Sequence, residues 1–170
     1  MSEENINNRK EAISKLKELA EEIDFCFFCT NVKSEQSDST PMSVQEVDEE
    51  GSIWFLASLA STKCENIKTD SAIQLYFSSP KDFKFLAVAG DADLVRDEKR
   101  IDKYWNKMVE GWFEKGREDP NIILIRVKPK KAHYWDTKYH KLLSYALTFY
   151  SAITGNKNDQ GLHGDINVPN

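Results

Sequence analysis

Hydrophobic positions change period several times along the chain, and each change predicts an element. From residue 6 to 23, Ile6, Ile13, Leu16, Leu19, Ala20 and Ile23 recur at near-helical spacing with Lys and Glu between them, which predicts an amphipathic helix. "DFCFFCTNV" then turns aromatic and small-apolar, a strand signal. "KSEQSDS" is a polar loop, "TPMSVQEVD" resumes a strand-like pattern, "EEG" is a turn and "SIWFLAS" has the composition of a buried strand. A short helix is predicted over "TKCENIKTD", with Thr62 and Glu65 in the spacing of a capping box. "SAIQLYFSS" alternates as a strand, and "FKFLAVAGDADLV" is a longer one, bent or bulged around Gly90.

In the second half, "DEKRIDKYWNKMVEGWF" reads as a helix with Asp97 as N-cap, and "EKGREDP" as a loop. "NIILIRVKPKKAHYWD" is a long strand whose Pro129 marks an edge or a kink. "KLLSYALTFYSAIT" is predicted to be a helix ending at Gly155, and the tail from Asn156 onward is polar and expected to be loose. About six strands, several joined by short turns, without a repeated βα alternation, argue against a doubly wound parallel sheet. The expectation is one domain over residues 1–170 with a core from about 10 to 155: a mainly β, antiparallel barrel with peripheral helices.

Composition narrows the function classes. The chain has 170 residues, 40% of them hydrophobic, enough for one core. A net charge of -5 argues against general nucleic-acid binding, which needs a basic face, while leaving room for a local basic pocket. There is no apolar run of membrane-spanning length and no apolar signal region in "MSEENINNRKEAISK", so a soluble cytoplasmic protein is expected. Three cysteines, an odd number, speak against a disulfide framework. Cys26 and Cys29 have C-x-x-C spacing, but residues three apart on a strand point to opposite faces, so they read as two small buried hydrophobes. His133, His140 and His163 lack metal-ligand spacing, and no metal site is predicted.

Three segments carry candidate chemistry. In "SIWFLASLASTKCENIK" a buried strand runs through small residues into a helix N-terminus. Ser58, Ser61, Thr62, Lys63 and the free first-turn amides suit an anion, most simply a phosphate; the alternative is that Thr62 only caps the helix and Lys63 is solvated. In "STPMSVQ", Pro41 frees backbone groups that, with Thr40 or Ser43, suit a polar ring; the alternative is an ordinary edge strand. Trp105 and Trp112, seven apart on one predicted helix, read as core or dimer interface more readily than as a ring-stacking pair. Nucleophile elbow, dinucleotide fingerprint and P-loop are all absent, and no catalytic residue is assigned.

The order of "TPM", "IWFLAS", "STK", "VAGDADLV", "YWNKMVEGWF", "GREDP" and "YWD" resembles the general stress protein branch of the pyridoxamine 5'-phosphate oxidase-like family, the FMN-binding split barrels, from about Ile13 to Gly155. This resemblance implies a six-stranded antiparallel split β-barrel that forms a homodimer, with flavin sites at the subunit interface. It implies FMN, or FAD, as cofactor and a reduced nicotinamide as electron donor. By the same likeness Thr40, Pro41, Met42, Ser43 and Val44 run beside the ring and ribityl chain. Leu56, Ala57 and Ser58 meet the ring, Ser61, Thr62 and Lys63 hold the phosphate, and Trp112 neighbours the ring. The family usually has Arg at the place of Thr40, and several relatives carry a basic residue at that of Thr62. Losing two charge-assisted bonds, each about twice as strong as a neutral one, implies modest FMN affinity. The basic substrate pocket of true pyridoxamine phosphate oxidases is not evident near the C-terminus. The functional expectation is a flavin-dependent oxidoreductase. The alternatives are a flavin-storing or sensing module without turnover, and a barrel that has lost its cofactor.

Overall fold

The computed structural model describes residues 2–3, 6, 8–137 and 161–166. A helix, α1 (Arg9–Ile23), begins where the Asn8 side chain accepts bonds from the Lys10 and Glu11 amides, three residues later than the hydrophobic period suggested. Its stripe of Ala12, Leu16, Leu19 and Ala20 is buried against the sheet. Each of those leucines contributes about 1.5–3 kcal/mol by leaving water.

The strands form one sheet. They are β1 (Ser2–Glu3), β2 (Phe25–Thr30), β3 (Asp38–Ser43), β4 (Glu46–Val47), β5 (Ile53–Ser58), β6 (Ala72–Ser79), β7 (Lys84–Val95), β8 (Ile122–Thr137) and β9 (Gly161–Ile166). Their order is β1-β9-β8-β7-β6-β2-β3, with β4 on β5 and β5 on β8; every pairing but β1–β9 is antiparallel. The six principal strands coincide with the expected ones. The departure lies in the tail: Gly161–Ile166, expected to be loose, pairs with Ala132–Thr137 and in turn holds Ser2–Glu3. Composition hid it because β9 is stabilised by the edge it joins rather than by its own hydrophobicity. The predicted helix over residues 141–154 lies outside the described residues.

Strand β8 organises the barrel. One edge carries β7 along its length; the other is shared by β5 over Ile122–Val127 and by β9 over Ala132–Thr137. Pro129, whose nitrogen has no hydrogen, falls in the gap between β5 and β9 and faces the register break at Ala89/Gly90. The inner face buries Phe28, Ile53, Phe55, Ile73, Leu75 and Leu86 beneath α1. A second cluster of Trp54, Ile101, Tyr104, Phe113, Ile122 and Leu124 forms on the other face of β5 and β8.

The single helix predicted over residues 97–113 is two: α3 (Glu98–Tyr104), capped by Asp97, and α4 (Lys107–Glu110). Asn106 accepts bonds from the Met108 and Val109 amides at 2.9 and 3.1 Å and starts the second helix, because its short amide satisfies a helix end better than a helix interior. Trp105 and Trp112 therefore do not share a helical face. Trp105 packs on Phe113 with ring centroids 5.8 Å apart. No helix among the described residues is long and apolar enough to cross a membrane.

All three cysteines are free and buried. Cys26 pairs with Met42 and Phe77, and Cys29 with Ser39 and Gln74, so the two thiols lie on opposite faces as the strand period requires. Burial above all, with Cys29 and Asp24 adding to it, pushes the Cys26 thiol up to about 12, far from a reactive thiolate.

Candidate functional site

The stretch from Asp38 to Val47 serves two edges. Its first part bonds to β2 and its second to β5, and the changeover falls where the Gln45 amide donates to the Trp54 carbonyl oxygen at 2.8 Å. Before that point, β3 and the Phe55–Ser58 part of β5 are not paired with each other. The far edge of β3 and the edge of Phe55–Ser58 away from β8 have no strand partner among the described residues. Two open backbone edges facing a split need polar partners from solvent or a ligand.

Most of the residues singled out in the sequence border this split. Thr40 and Met42 are paired with Phe28 and Cys26 and share their inward face; Met42 is buried. Pro41 and Ser43 lie on the outer face with Phe27 and Phe25, and the Ser43 hydroxyl donates to Asp24 Oδ1 at 2.9 Å. Leu56 packs on the second cluster and Ala57 in the main core, so what they offer a ligand is backbone. The Ser58 carbonyl oxygen accepts the Ser61 amide at 3.0 Å, turning the chain into the helix α2 (Thr62–Thr69).

The start of α2 departs from expectation. Ser61, not Thr62, is the N-cap: its carbonyl oxygen accepts from the Cys64 and Glu65 amides at 3.0 and 3.2 Å. The Ser58–Ser61 turn moves the cap back by one residue. No side chain caps the first turn, so its amides stay open toward an anion. The Ser61 hydroxyl oxygen is enclosed and meets no strong hydrogen-bond partner; it acts on the weakly polar Cys64 thiol, which burial pushes up and Ser61 draws down. Lys63 is half-buried and forms no ion pair among the described residues. Burial holds its ammonium below the ordinary lysine value, a charge short of a counter-ion. An uncapped helix start and an ammonium with no ion pair among the described residues fit a phosphorylated group.

Asn66 is a contributor that sequence reading missed. Its side-chain amide donates to Thr30 Oγ1 at 2.9 Å and to Asp38 Oδ2 at 2.8 Å, tying α2 to the ends of β2 and β3. Its signal was a polar residue three after Lys63, on the same helical face.

Trp112 is not packed against the split. It follows α4 and is 82% exposed, whereas Phe113 carries the packing. Asp119 is buried and its carboxylate accepts the Asn121 amide, so the "GREDP" segment here closes the second cluster. A surface depression of about 470 Å3 lies elsewhere, between Arg96, Glu98, Asp102, Arg117 and Glu118. Glu98 and Asp102 already neutralise its guanidiniums, so it lacks the free charge found at Lys63.

The outer face of β2 and β6 is unusually apolar. Pro41, Phe27, Tyr76, Ala87 and His133 form one row across the sheet, and Phe25 and Phe27 are 54% and 59% exposed.

Fold and site together define an antiparallel barrel, split at one seam, with an anion-receptive helix start beside the split. The chain belongs to the family described as pyridoxamine 5'-phosphate oxidase like, whose sequence profile matches residues 11–159. Among solved structures it is similar to a protein described as general stress protein 26 from Jannaschia sp., with TM-score 0.77, 16% identity and coverage of 94% of this chain and 99% of that one. It is also similar to a general stress FMN/FAD binding protein from Xanthomonas citri, with TM-score 0.64, 24% identity and coverage of 77% and 92%. Those identities carry the fold. A curated relative, Protein bli-3 of Neurospora crassa, is 31% identical over 88 residues, which span 47% of this chain and 42% of that protein.

Proposed function

We propose that this chain is a flavin-binding protein of the general stress type, working as a homodimer with FMN held at the split. Ser61, Thr62 and Lys63 would hold the phosphate, and the open backbone edges of Thr40–Ser43 and Leu56–Ser58 would meet the ring and ribityl chain. The observation that carries the reading is Lys63: a half-buried ammonium with no carboxylate partner among the described residues, at an uncapped helix start. The name of the Xanthomonas citri neighbour adds support for FMN or FAD as the ligand. A bound flavin supplies the two-electron redox chemistry, with a reduced nicotinamide as the proposed donor; the residues here bind, orient and exclude water. A second copy is the proposed cover for the row through Phe27 and for the exposed Trp112 indole, since apolar patches of this kind mark interfaces.

A flavin-storing or sensing module is the second reading. No histidine borders the split among the described residues, and its carboxylates are engaged, Asp24 by Ser43 and Asp38 by Asn66. The deciding experiment is an absorption spectrum after incubation with FMN and desalting. Retained bands near ~450 nm are expected; a colourless protein at micromolar concentration would overturn the flavin reading. Consumption of reduced nicotinamide no faster than with free flavin would favour the storage reading.

A further inference from the structure

We infer that Asn66 is the positioning residue that sets the phosphate-holding turn against the ring-side strand. The inference rests on the proposed flavin site and adds to it a residue that touches neither the phosphate nor the ring.

Two separate pieces of chain must cooperate at the split. One is the start of α2, with Ser61 and Lys63. The other is β3, an edge strand bonded to β2 alone. They are separated in sequence by β4 and β5, so nothing along the chain keeps them in register. Cys64 and Ile67 of α2 share the main core with Met42 of β3, and Lys33 reaches Asp70 at the end of α2; the directional tie nearest the phosphate-holding turn is the Asn66 side chain. Asn66 lies on α2 three residues after Lys63, and its amide nitrogen uses both hydrogens, one on Thr30 and one on Asp38. Thr30 is buried, with 1% of its surface exposed, and ends β2; Asp38 begins β3 and is paired with it. The amide thus straddles the end of the β2–β3 ladder and fixes α2 to both strands at once.

The chemistry of the residue is specific to this task. Aspartate at position 66 would bring a second carboxylate against Asp38. Lysine would satisfy Asp38 but not seat in the fixed fork with Thr30. A neutral planar amide with two donors fits two acceptors, one buried and one exposed. Removing it leaves the Lys63 charge and the core contacts of Cys64 and Ile67 in place but takes away the directional bonds that set the helix start against β3. Misplacement by about 1 Å is enough to degrade a site that depends on two elements.

The ligand pair FMN and riboflavin separates positioning from general stability, because only FMN carries the phosphate. In the full chain, Asn66→Ala and, separately, Asp38→Ala are expected to raise the FMN Kd about fivefold, the range of one or two lost hydrogen bonds, while the riboflavin Kd stays within about twofold. Asp38 is exposed, so its variant remains folded even if Asn66→Ala does not. The double variant is expected to be no worse than either single one, since both break the same link. FMN and riboflavin weakening together, or FMN affinity unmoved in both variants while Lys63→Ala still weakens it, would overturn the positioning role. Unchanged FMN affinity in Lys63→Ala would overturn the phosphate site itself, and the inference with it.

Discussion

Gly90 lies so close to Lys128 that a Cβ built on it would stand 2.3 Å from the Lys128 carbonyl oxygen. This contact sits at the register break between β7 and β8, opposite Pro129. The close approach of two backbones lets the long strands bend there and curl the sheet. Gly90→Ala is expected to destabilise the fold by about 1–3 kcal/mol, the usual cost of forcing atoms into a packed backbone contact. Gly111→Ala, where the nearest atom would be 3.5 Å away, is the control and is expected to stay within about 0.5 kcal/mol. Chemical denaturation of the two variants measures the difference.

Lys63 makes two opposite pH dependences in one protein. Burial lowers its folded pKa below 10.5, so between the two values the unfolded chain binds more protons than the folded one. Stability of the flavin-free protein is therefore expected to rise with pH across that window, which ends at the unfolded value. FMN affinity is expected to fall over the same window, because the ammonium that faces the phosphate is lost. Lys63→Ala is expected to weaken FMN binding by about tenfold or more, as for a bond to a charged group, and to remove both pH effects. Lys115→Ala, outside the turn, should leave them intact. Titration of flavin fluorescence at several pH values reads the affinity, and thermal melts read the stability.

Phe27 tests the proposed second copy. Its ring is exposed at the centre of a row running from Pro41 through Tyr76, and burying it would remove apolar surface from water. Phe27→Asp is expected to give a folded monomer, seen by light scattering with an unchanged circular dichroism spectrum, and to lose flavin with the interface. A wild-type chain that is already monomeric at micromolar concentration would show that another partner covers this face.

Much of the fold was legible because its signals are local. FCFFCT has the composition of a strand, and the two-residue period of strand geometry alone placed Cys26 and Cys29 on opposite faces. Gly90 and Pro129, each a weak sign of irregularity in its own strand, proved to be partners in one bulge. Asp97 announced α3 correctly, but the hydrophobic period overran Asn106, because a capping side chain matters more there than the periodicity of the residues around it.

The candidate site divides along the same line. Sequence by itself determined the ingredients: a small-residue turn ending in Ser61-Thr62-Lys63, a proline-bearing edge at Pro41, a buried strand ending at Ser58, and the order of motifs that marks the family. Only the tertiary structure decided that β3, the stretch before Gln45, parts from β5, that Ser61 rather than Thr62 is the N-cap of α2, that Asn66 bridges to Asp38, and that Trp112 stands exposed on the surface. The physical reason is range. Propensity and period act over a few residues, whereas an open edge, a bridging amide and an uncovered indole are defined by what lies across space. Gly161–Ile166 makes the same point: a polar tail became a strand because β8 offered it an unpaired edge.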